Sequence, residues 1–447
     1  MKGPLAAVIL PELLIVGAAI ASLSFRRSRL SRGPALFAAA AVLAAFTIEL
    51  IVGAQVGTLV PGVYRQDRFA LFAKAVLLAS TFVWLLAEGD DIAPPPAPAV
   101  GPLLACLFGM LVASAPGPVT LLLWTELAVV AVLAFDGRPA GAGRRRLRLF
   151  AIATGLAAVA GVALLYAVTR SASFPGFTSG RTAVALTAPA AIAVLLVIVA
   201  LAAEMMAARW LGAIVAGTAG IALLKFTAAT AGAAGAWSIV LPVGAAVILL
   251  AAALGSLAGW RPGHLPSWAA LLQLGWLIAG AAAGGRAGIA ASLFLLGAFL
   301  LAAAACRGLR GERDHGVAGL MERGQGRGLG YAACLVSLAG LPPLAGFFGV
   351  FAVASRLAAS GLFWVVAVGL LATSVLAFAV LRDLRLVFLA STGERAGERS
   401  VDGGRVTRGT LVRGGGLLAA GLLLVYGLLA NPISSLALQG AAAAGPR

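Results

Sequence analysis

The chain has 447 residues, of which 61% are hydrophobic and only 11% are charged, and its mean hydropathy is +1.03. A soluble fold of this length would have to expose large apolar patches, so the composition excludes a soluble protein. The net charge of +17 does not indicate nucleic-acid binding, because the basic residues lie in short loops between apolar stretches. The composition therefore predicts a membrane protein that crosses the bilayer many times.

Apolar windows of about 17 to 25 residues, the length that crosses a bilayer, recur along the chain. We predict about 14 transmembrane helices, because a helix satisfies its own backbone hydrogen bonds in lipid. The predicted fold class is therefore an all-α polytopic membrane protein. The predicted spans are roughly residues 5–23, 35–54, 69–87, 99–114, 117–135, 148–168, 182–203, 211–233, 236–259, 267–284, 287–305, 328–354, 361–381 and 414–430.

Arginine clusters between the spans predict an orientation. If the first span starts outside, about 23 of the 33 Lys and Arg residues fall in inward-facing loops and about 8 fall outside. Residues 26–32 and 144–148 each contain four arginines and determine this orientation most firmly. Both termini are then predicted to face outward.

Two polar segments between spans are predicted to be loops. Residues 88–96 combine three acids with three prolines, which predicts a stiff loop, and residues 391–416 are charged and rich in glycine, which predicts a mobile inward loop. The sequence contains no phosphate-binding loop, no haem or iron–sulfur cysteine run and no flavin or nicotinamide fingerprint. We therefore predict no cofactor and no metal in this chain, and place any redox chemistry in another chain.

Residues 337–351, with the sequence SLAGLPPLAGFFGVF, interrupt an apolar stretch that otherwise has the length of a span. Pro342 and Pro343 lack backbone donors and clash with the preceding turn, so we predict a helix break here, with Gly346 just beyond it. In lipid, the carbonyl groups released by a break are tolerated only where protein or a wet cavity satisfies them. A packing kink and an ion path explain this segment equally well.

Glu126 and Lys225 are the strongest candidates for functional ionisable groups within the membrane. Each lies within a long apolar stretch, where a charge costs about 2.5 to 3.5 kcal/mol on insertion scales and usually faces a partner or a water-filled path. Because burial disfavours the charged form of either group, both are candidates for the proton exchange that a relay requires. The alternative is a single structural ion pair that joins two helices.

Other polar residues have simpler explanations. Glu204 closes the seventh span near Arg209, where reaching the interface is the cheaper explanation, although a relay role stays open. Arg382 and Asp383 are better explained as an interfacial pair at the end of the thirteenth span. The remaining residues of interest are the intramembrane or near-membrane Glu12, Glu49 and Lys74, the core cysteines Cys106, Cys306 and Cys334, and the loop histidines His264 and His315.

Motifs in one fixed order along nearly the whole chain point to a known family. They are LPELL near the start, DRFALFAKAVLL at residues 67–78, the span around Glu126, LGSL at residues 254–257, LGAF at residues 296–299, and SLAGLPPLAGFFG from Ser337. With these motifs the chain resembles the antiporter-like membrane subunits of respiratory complex I. The resemblance is most specific to subunit N of the bacterial NADH-quinone oxidoreductase.

The resemblance implies two inverted five-helix repeats, each with a broken helix and an ion site near the midplane. The implied domains are an N-terminal three-helix segment at residues 1–98, a first repeat at 99–233, a second repeat at 234–390, and a polar loop with the last helix at 391–447.

The implied function is proton conduction across the bacterial inner membrane, coupled to quinone reduction elsewhere in a proton-translocating NADH:quinone oxidoreductase. Quinone, flavin and iron–sulfur clusters would belong to partner subunits, and the partners of this chain would be other membrane-arm subunits and lipid. Glu126 and Lys225 would be the relay glutamate and lysine of the fifth and eighth spans. Glu204 lies near the position expected for a seventh-span lysine.

One departure from the family pattern keeps other functions open. Val350 stands where the family has a lysine after GFFG, so the second repeat lacks its expected titratable group. A structural subunit that moves no protons is therefore one alternative. Another is the equivalent subunit of a multisubunit cation/proton antiporter or of a membrane-bound hydrogenase.

Overall fold

The computed structural model of the chain describes residues 7–24, 33–88, 99–135, 142–170, 174, 188–206, 212–230, 238–258, 265–310, 317–389 and 409–444. Several predicted features lie outside the described residues. They are most of the two predicted polar loops, the arginine cluster at residues 26–32, and both histidines.

Helices account for most of the described chain, as expected for a backbone that must satisfy its hydrogen bonds in lipid. In chain order the elements are a 3-10 turn (Ala7–Ile9), α1 (Leu10–Ser24), α2 (Gly33–Val52), β1 (Gly57–Val60), β2 (Tyr64–Gln66), α3 (Arg68–Glu88), α4 (Val100–Ala113), α5 (Pro118–Phe135), α6 (Ala142–Thr169), α7 (Ala188–Met206), α8 (Ala213–Ala229), α9 (Val240–Ala258), α10 (Leu265–Ala282), α11 (Gly285–Arg310), α12 (Leu320–Arg323), α13 (Gln325–Leu338), α14 (Ala345–Ala359), α15 (Phe363–Leu389), α16 (Gly409–Leu428) and α17 (Ala430–Ala444).

The predicted all-α membrane fold is confirmed, since each predicted span coincides with a helix or a helix pair. Seven of the described helices are long and apolar enough to cross a membrane, and the bent pair α16–α17 would make eight. Six further helices contribute apolar segments of only 10 to 17 residues. The count of about 14 spans therefore stays a prediction.

Three elements differ from the sequence-based prediction. The antiparallel β1–β2 hairpin was not predicted, because its strands are only four and three residues long. The segment from Gly409 belongs to α16 and not to the predicted polar loop, and α6 begins at Ala142, so the second arginine cluster is helical. Helix α17 also was not predicted; it follows α16 at an angle of 77°, and Pro432 is tolerated in its first turn.

Two helices form the interior of the bundle. Helix α11 is almost entirely buried, and every residue of α8 from Ile214 to Ala229 is buried. Helix α8 packs against α4, α5, α7 and α11. Peripheral helices such as α6 and α15 instead expose rows of large apolar side chains, which is typical of lipid contact. Side chains of α8 and α11 are therefore held away from lipid.

Candidate functional site

The carboxyl group of Glu126 lies between α5 and α6. A β-carbon added at Gly155 of α6 would lie 2.8 Å from Glu126 Oε2 and 3.2 Å from Glu126 Oε1. The carboxyl group thus occupies the room left by the missing side chain of a glycine on the facing helix. The partial burial of Glu126 depends on this close approach of α5 and α6.

Glu204, at the end of α7, brings a second carboxyl group to the same place. Its side chain is 1% exposed and lies beside the carboxyl group of Glu126 and the hydroxyl of Thr154. Oε1 of Glu126 and both carboxyl oxygens of Glu204 are buried with no hydrogen-bond donor among the described residues. The interfacial position predicted for Glu204 is wrong, because α7 packs along α6 and buries this end of the helix.

The two acids can be neighbours here only if they share a proton. Two ionised carboxylates in contact, away from water, repel strongly, whereas one proton between them allows a hydrogen bond. Glu126 and Glu204 therefore titrate as one unit, which we call the acid pair. Uptake or loss of one proton changes the charge of the acid pair by one unit without any other group taking part.

Lys225 lies on the buried helix α8, apart from the acid pair. Its amine donates a hydrogen bond to the backbone carbonyl of Ala113, the last residue of α4, and lies 5.5 Å from the centre of the Phe69 ring. The carboxylate of Asp67 also acts on this amine through space. No ion pair joins Glu126 to Lys225, so the interpretation of these two residues as a structural ion pair is wrong.

Replacing Gly155 with Ala should displace the Glu126 carboxyl group, since the new methyl group would lie within 3.2 Å of three of its atoms. The flexible end of a side chain can move, so we expect a cost of only about 1 kcal/mol in stability. We expect reduced proton translocation by the assembled complex in a vesicle assay. Gly244→Ala is the matched control, because nothing lies within 4 Å of its added carbon. Equal translocation by both variants would contradict this placement of Glu126.

Glu12, Glu49 and Lys74 meet in a separate buried cluster with Tyr64 and Gln66 of the hairpin. We call these five residues the hairpin cluster. Sequence reasoning had placed the three ionisable groups in or near the membrane but missed Tyr64 and Gln66. The signal that could have found them is the polar run YRQD directly before the apolar helix α3.

The predicted interruption lies between α13 and α14. Helices α13 and α14 are separated by residues 339–344, which include the proline pair. The side-chain amide of Gln273, on α10, donates to the carbonyl of Ser337 at 3.1 Å and to that of Leu338 at 2.9 Å. Gln273 therefore gives a donor to the Leu338 carbonyl, whose helical partner would be Pro342, and a second donor to the Ser337 carbonyl, which also accepts from the Gly340 N–H at 3.0 Å. Gln273 Oε1 is buried with no donor among the described residues.

The start of α14 is held close to the end of α13 by backbone contact. The backbone N–H of Gly346 donates to the Ser337 hydroxyl at 3.1 Å, and a β-carbon at Gly346 would lie 1.8 Å from the Ser337 carbonyl oxygen. Val350, 4% exposed, packs beside Gly340, whose φ of +70° makes the turn. The position at which the related family carries a lysine thus faces the interruption with an apolar side chain.

The remaining candidates have structural roles in the described part of the chain. Asp383 is fully buried near the end of α15, and its interfacial pairing with Arg382 stays a prediction. The three cysteines are buried and form no disulfide among the described residues, as predicted for core residues. No cluster of His, Cys, Asp or Glu suited to a metal ion occurs among the described residues.

Comparison with known proteins identifies relatives of the chain. It is 28% identical over 436 residues to NADH-quinone oxidoreductase subunit N 1 of Acidiphilium cryptum, an alignment that covers 88% of each chain. It is 25% identical over 428 residues to NADH-quinone oxidoreductase subunit N of Hirschia baltica, which covers 86% of this chain and 89% of that one. The chain is a divergent homologue of NADH-quinone oxidoreductase subunit N. Subunit N 2 of Roseiflexus castenholzii is 31% identical over 230 residues, which cover 47% of the homologue described here and 44% of that protein.

Solved structures show that the subunit N homologue shares its fold with chains of multi-subunit membrane complexes. A chain of the Mrp complex from Dietzia sp. DQ12-45-1b has a TM-score of 0.82 and 19% identity, and covers 99% of this chain and 97% of that one. A chain of respiratory complex I from Thermus thermophilus has a TM-score of 0.71 and 20% identity, with coverage of 98% and 100%. No protein-family model matches the subunit N homologue.

Proposed function

We propose that this chain is a membrane-arm subunit of a proton-translocating NADH-quinone oxidoreductase. It conducts protons across the bacterial inner membrane while other subunits reduce quinone. The observation that carries the proposal is the acid pair, in which the buried Glu204 meets the part-buried Glu126 where α5, α6 and α7 come together. A buried acid pair that holds one proton suits a relay, because it can gain or lose a proton with little rearrangement.

Lys225 is the second member of the proposed relay. Helix α8, which carries it, packs against both α5 and α7, the helices of the acid pair. A buried amine with one backbone acceptor exists in charged and neutral forms of similar shape, as proton transfer requires. The proposed relay thus has two proton-binding sites on neighbouring helices, namely the acid pair and the amine of Lys225.

The proposal assigns proton transfer to the first repeat, at residues 99–233. In the second repeat, at residues 234–390, Val350 leaves the interruption without a titratable group, and Gln273 satisfies its carbonyls. The same observation favours the second candidate function, a structural subunit that completes the membrane arm without moving protons. Both termini are assigned to the outer side on the basis of arginine placement.

Partners and cofactors follow from the proposed function. Other membrane-arm subunits would cover parts of this bundle, and quinone, flavin and iron–sulfur clusters would lie in the partner subunits. The proposed enzyme is the whole complex, to which this chain contributes no redox chemistry.

Purification of the tagged chain from its native membrane tests this assignment. We expect it to co-isolate with a peripheral arm that contains flavin and iron–sulfur clusters, seen by their absorption and paramagnetic resonance, and with NADH-dependent quinone reduction. A partner set without these groups that exchanges cations for protons would instead assign the chain to a multisubunit antiporter. Co-isolation with a hydrogen-evolving enzyme would assign it to a membrane-bound hydrogenase.

A further inference from the structure

The hairpin cluster lies where α1, α2 and α3 meet the β1–β2 hairpin, outside the first repeat. Its members Glu12, Glu49, Tyr64, Gln66 and Lys74 are each at most 3% exposed. Charged groups buried to this degree need partners within the protein, because transfer out of water is costly. The ion pairs and hydrogen bonds among these five side chains therefore determine which of them can carry a charge.

Lys74 is the centre of the hairpin cluster. Its amine lies 2.6 Å from Glu12 Oε1 and donates to Gln66 Oε1 at 2.8 Å and to the Tyr64 hydroxyl. The Tyr64 hydroxyl donates in turn to Glu12 Oε1 at 2.8 Å, and Gln66 Nε2 donates to Glu49 Oε1 at 2.9 Å. A continuous series of hydrogen bonds thus joins two carboxyl groups through an amine.

Tyr64 acts as a donor in this series. Burial and the charge of Glu12 raise the pKa of the Tyr64 phenol above its usual range. The phenol therefore keeps its proton and uses it in the hydrogen bond to Glu12.

The charges of the cluster do not balance if all its acids are ionised. Two acids and one amine would then leave one negative charge buried without compensation. Oε2 of both acids is buried with no donor among the described residues. Glu12 is compensated directly by Lys74, whereas the one donor to Glu49 in the described part of the chain is the neutral amide of Gln66. Glu49, which faces Lys74, Glu12 and Gln66, is therefore the acid that holds a proton.

The hairpin cluster touches the first repeat beside Lys225. The backbone N–H of Arg65 donates to the carbonyl of Ser114 at 2.8 Å, and the Ser114 hydroxyl lies beside the Tyr64 phenol. Ala113, the preceding residue, accepts the hydrogen bond of Lys225. Two consecutive residues at the end of α4 therefore lie between the relay amine and the cluster.

We propose that the hairpin cluster is a further proton-binding site, in which Glu49 carries the proton and exchanges it between Lys225 and the membrane surface on which the hairpin lies. The Glu49 carboxylate gains the proton that the Lys225 ammonium group loses, and later releases it to water at that surface. Alternate residues of β1 are exposed, so the hairpin reaches the surface. The exchange with Lys225 rests on the proposed function, whereas proton binding by Glu49 does not.

Infrared difference spectra of the purified complex, taken between acidic and alkaline pH, test proton binding directly. We expect Glu49→Gln to lose one carbonyl band of a protonated carboxylic acid, because the amide keeps the shape and the contact with Gln66 but holds no acidic proton. Glu49→Asp should keep a shifted band. Thr47→Val, on the same helix and exposed, should leave the spectrum unchanged and controls for effects on α2.

Proton translocation in vesicles, normalised to the amount of assembled complex, tests the exchange with Lys225. We expect Glu49→Gln to lower it and Thr47→Val to leave it unchanged. An unchanged infrared band in Glu49→Gln would overturn proton binding, and a lost band with undiminished translocation would overturn the relay role. A wild-type complex that translocates no protons would refute the proposed function, while the infrared band would still decide whether Glu49 binds a proton.

Discussion

Glu126→Gln is expected to stop most of the proton translocation carried by this subunit while the complex still assembles. Glutamine has the shape of glutamate, and its amide can donate to Glu204, so the contact between α5 and the end of α7 is kept. The amide cannot take up or release a proton at any accessible pH, and loss of a positioned acid–base group slows proton transfer by about 100-fold or more. The acid pair would then lose its function and keep its packing.

The measurement is the acidification of vesicles driven by NADH oxidation, normalised to the amount of assembled subunit. Glu204→Gln should have a similar effect, and the double variant should lose little more, because residues that act as one unit are not additive. Thr125→Val is the matched control, since the hydroxyl of this neighbouring buried residue donates to the Leu121 carbonyl of its own helix and to no other described residue. Undiminished translocation in both single variants would support the structural subunit instead.

Gly346→Ala is expected to have the largest effect on stability. The added carbon would lie 1.8 Å from the Ser337 carbonyl oxygen and 2.7 Å from the carbonyl carbon, and both belong to backbone that cannot move without opening the interruption. Overpacking of this kind costs about 3 kcal/mol, at the upper end of the usual range. The hydrogen bond from the Gly346 N–H to the Ser337 hydroxyl would also lengthen or break.

Thermal unfolding of the purified subunit in detergent, and the yield of assembled complex, report this cost. We expect a clearly lower unfolding temperature and less assembled complex for Gly346→Ala than for Gly421→Ala, whose added carbon meets nothing within 4 Å. Ser337→Ala should fall between them, because it removes one hydrogen bond worth about 1 kcal/mol without a clash. Equal unfolding temperatures for the two glycine variants would show that α13 and α14 do not approach this closely.

Several features of the site could be predicted because their signals are local in sequence. A carboxylate or amine within a long apolar stretch is conspicuous, so Glu126 and Lys225 were found from their neighbours alone. The interruption between α13 and α14 was predictable because proline removes a backbone donor wherever it occurs. The environment of Glu204 was not predictable in this way. Its place directly after the predicted end of a span suggested the membrane interface, whereas the packing of α7 on α6 buries its side chain within the protein.

The sequence by itself determined that this chain is a multi-pass helical membrane protein, where its helices lie, and which of them is interrupted. These properties depend on apolar length and on the backbone chemistry of single residues, both of which are readable locally. Only the tertiary structure decided that Glu126 meets Glu204, that Lys225 bonds to Ala113, and that the hairpin completes a buried cluster around Lys74. Each of these contacts joins separate helices or strands, and its geometry is set by how closely those elements pack, which no local pattern encodes.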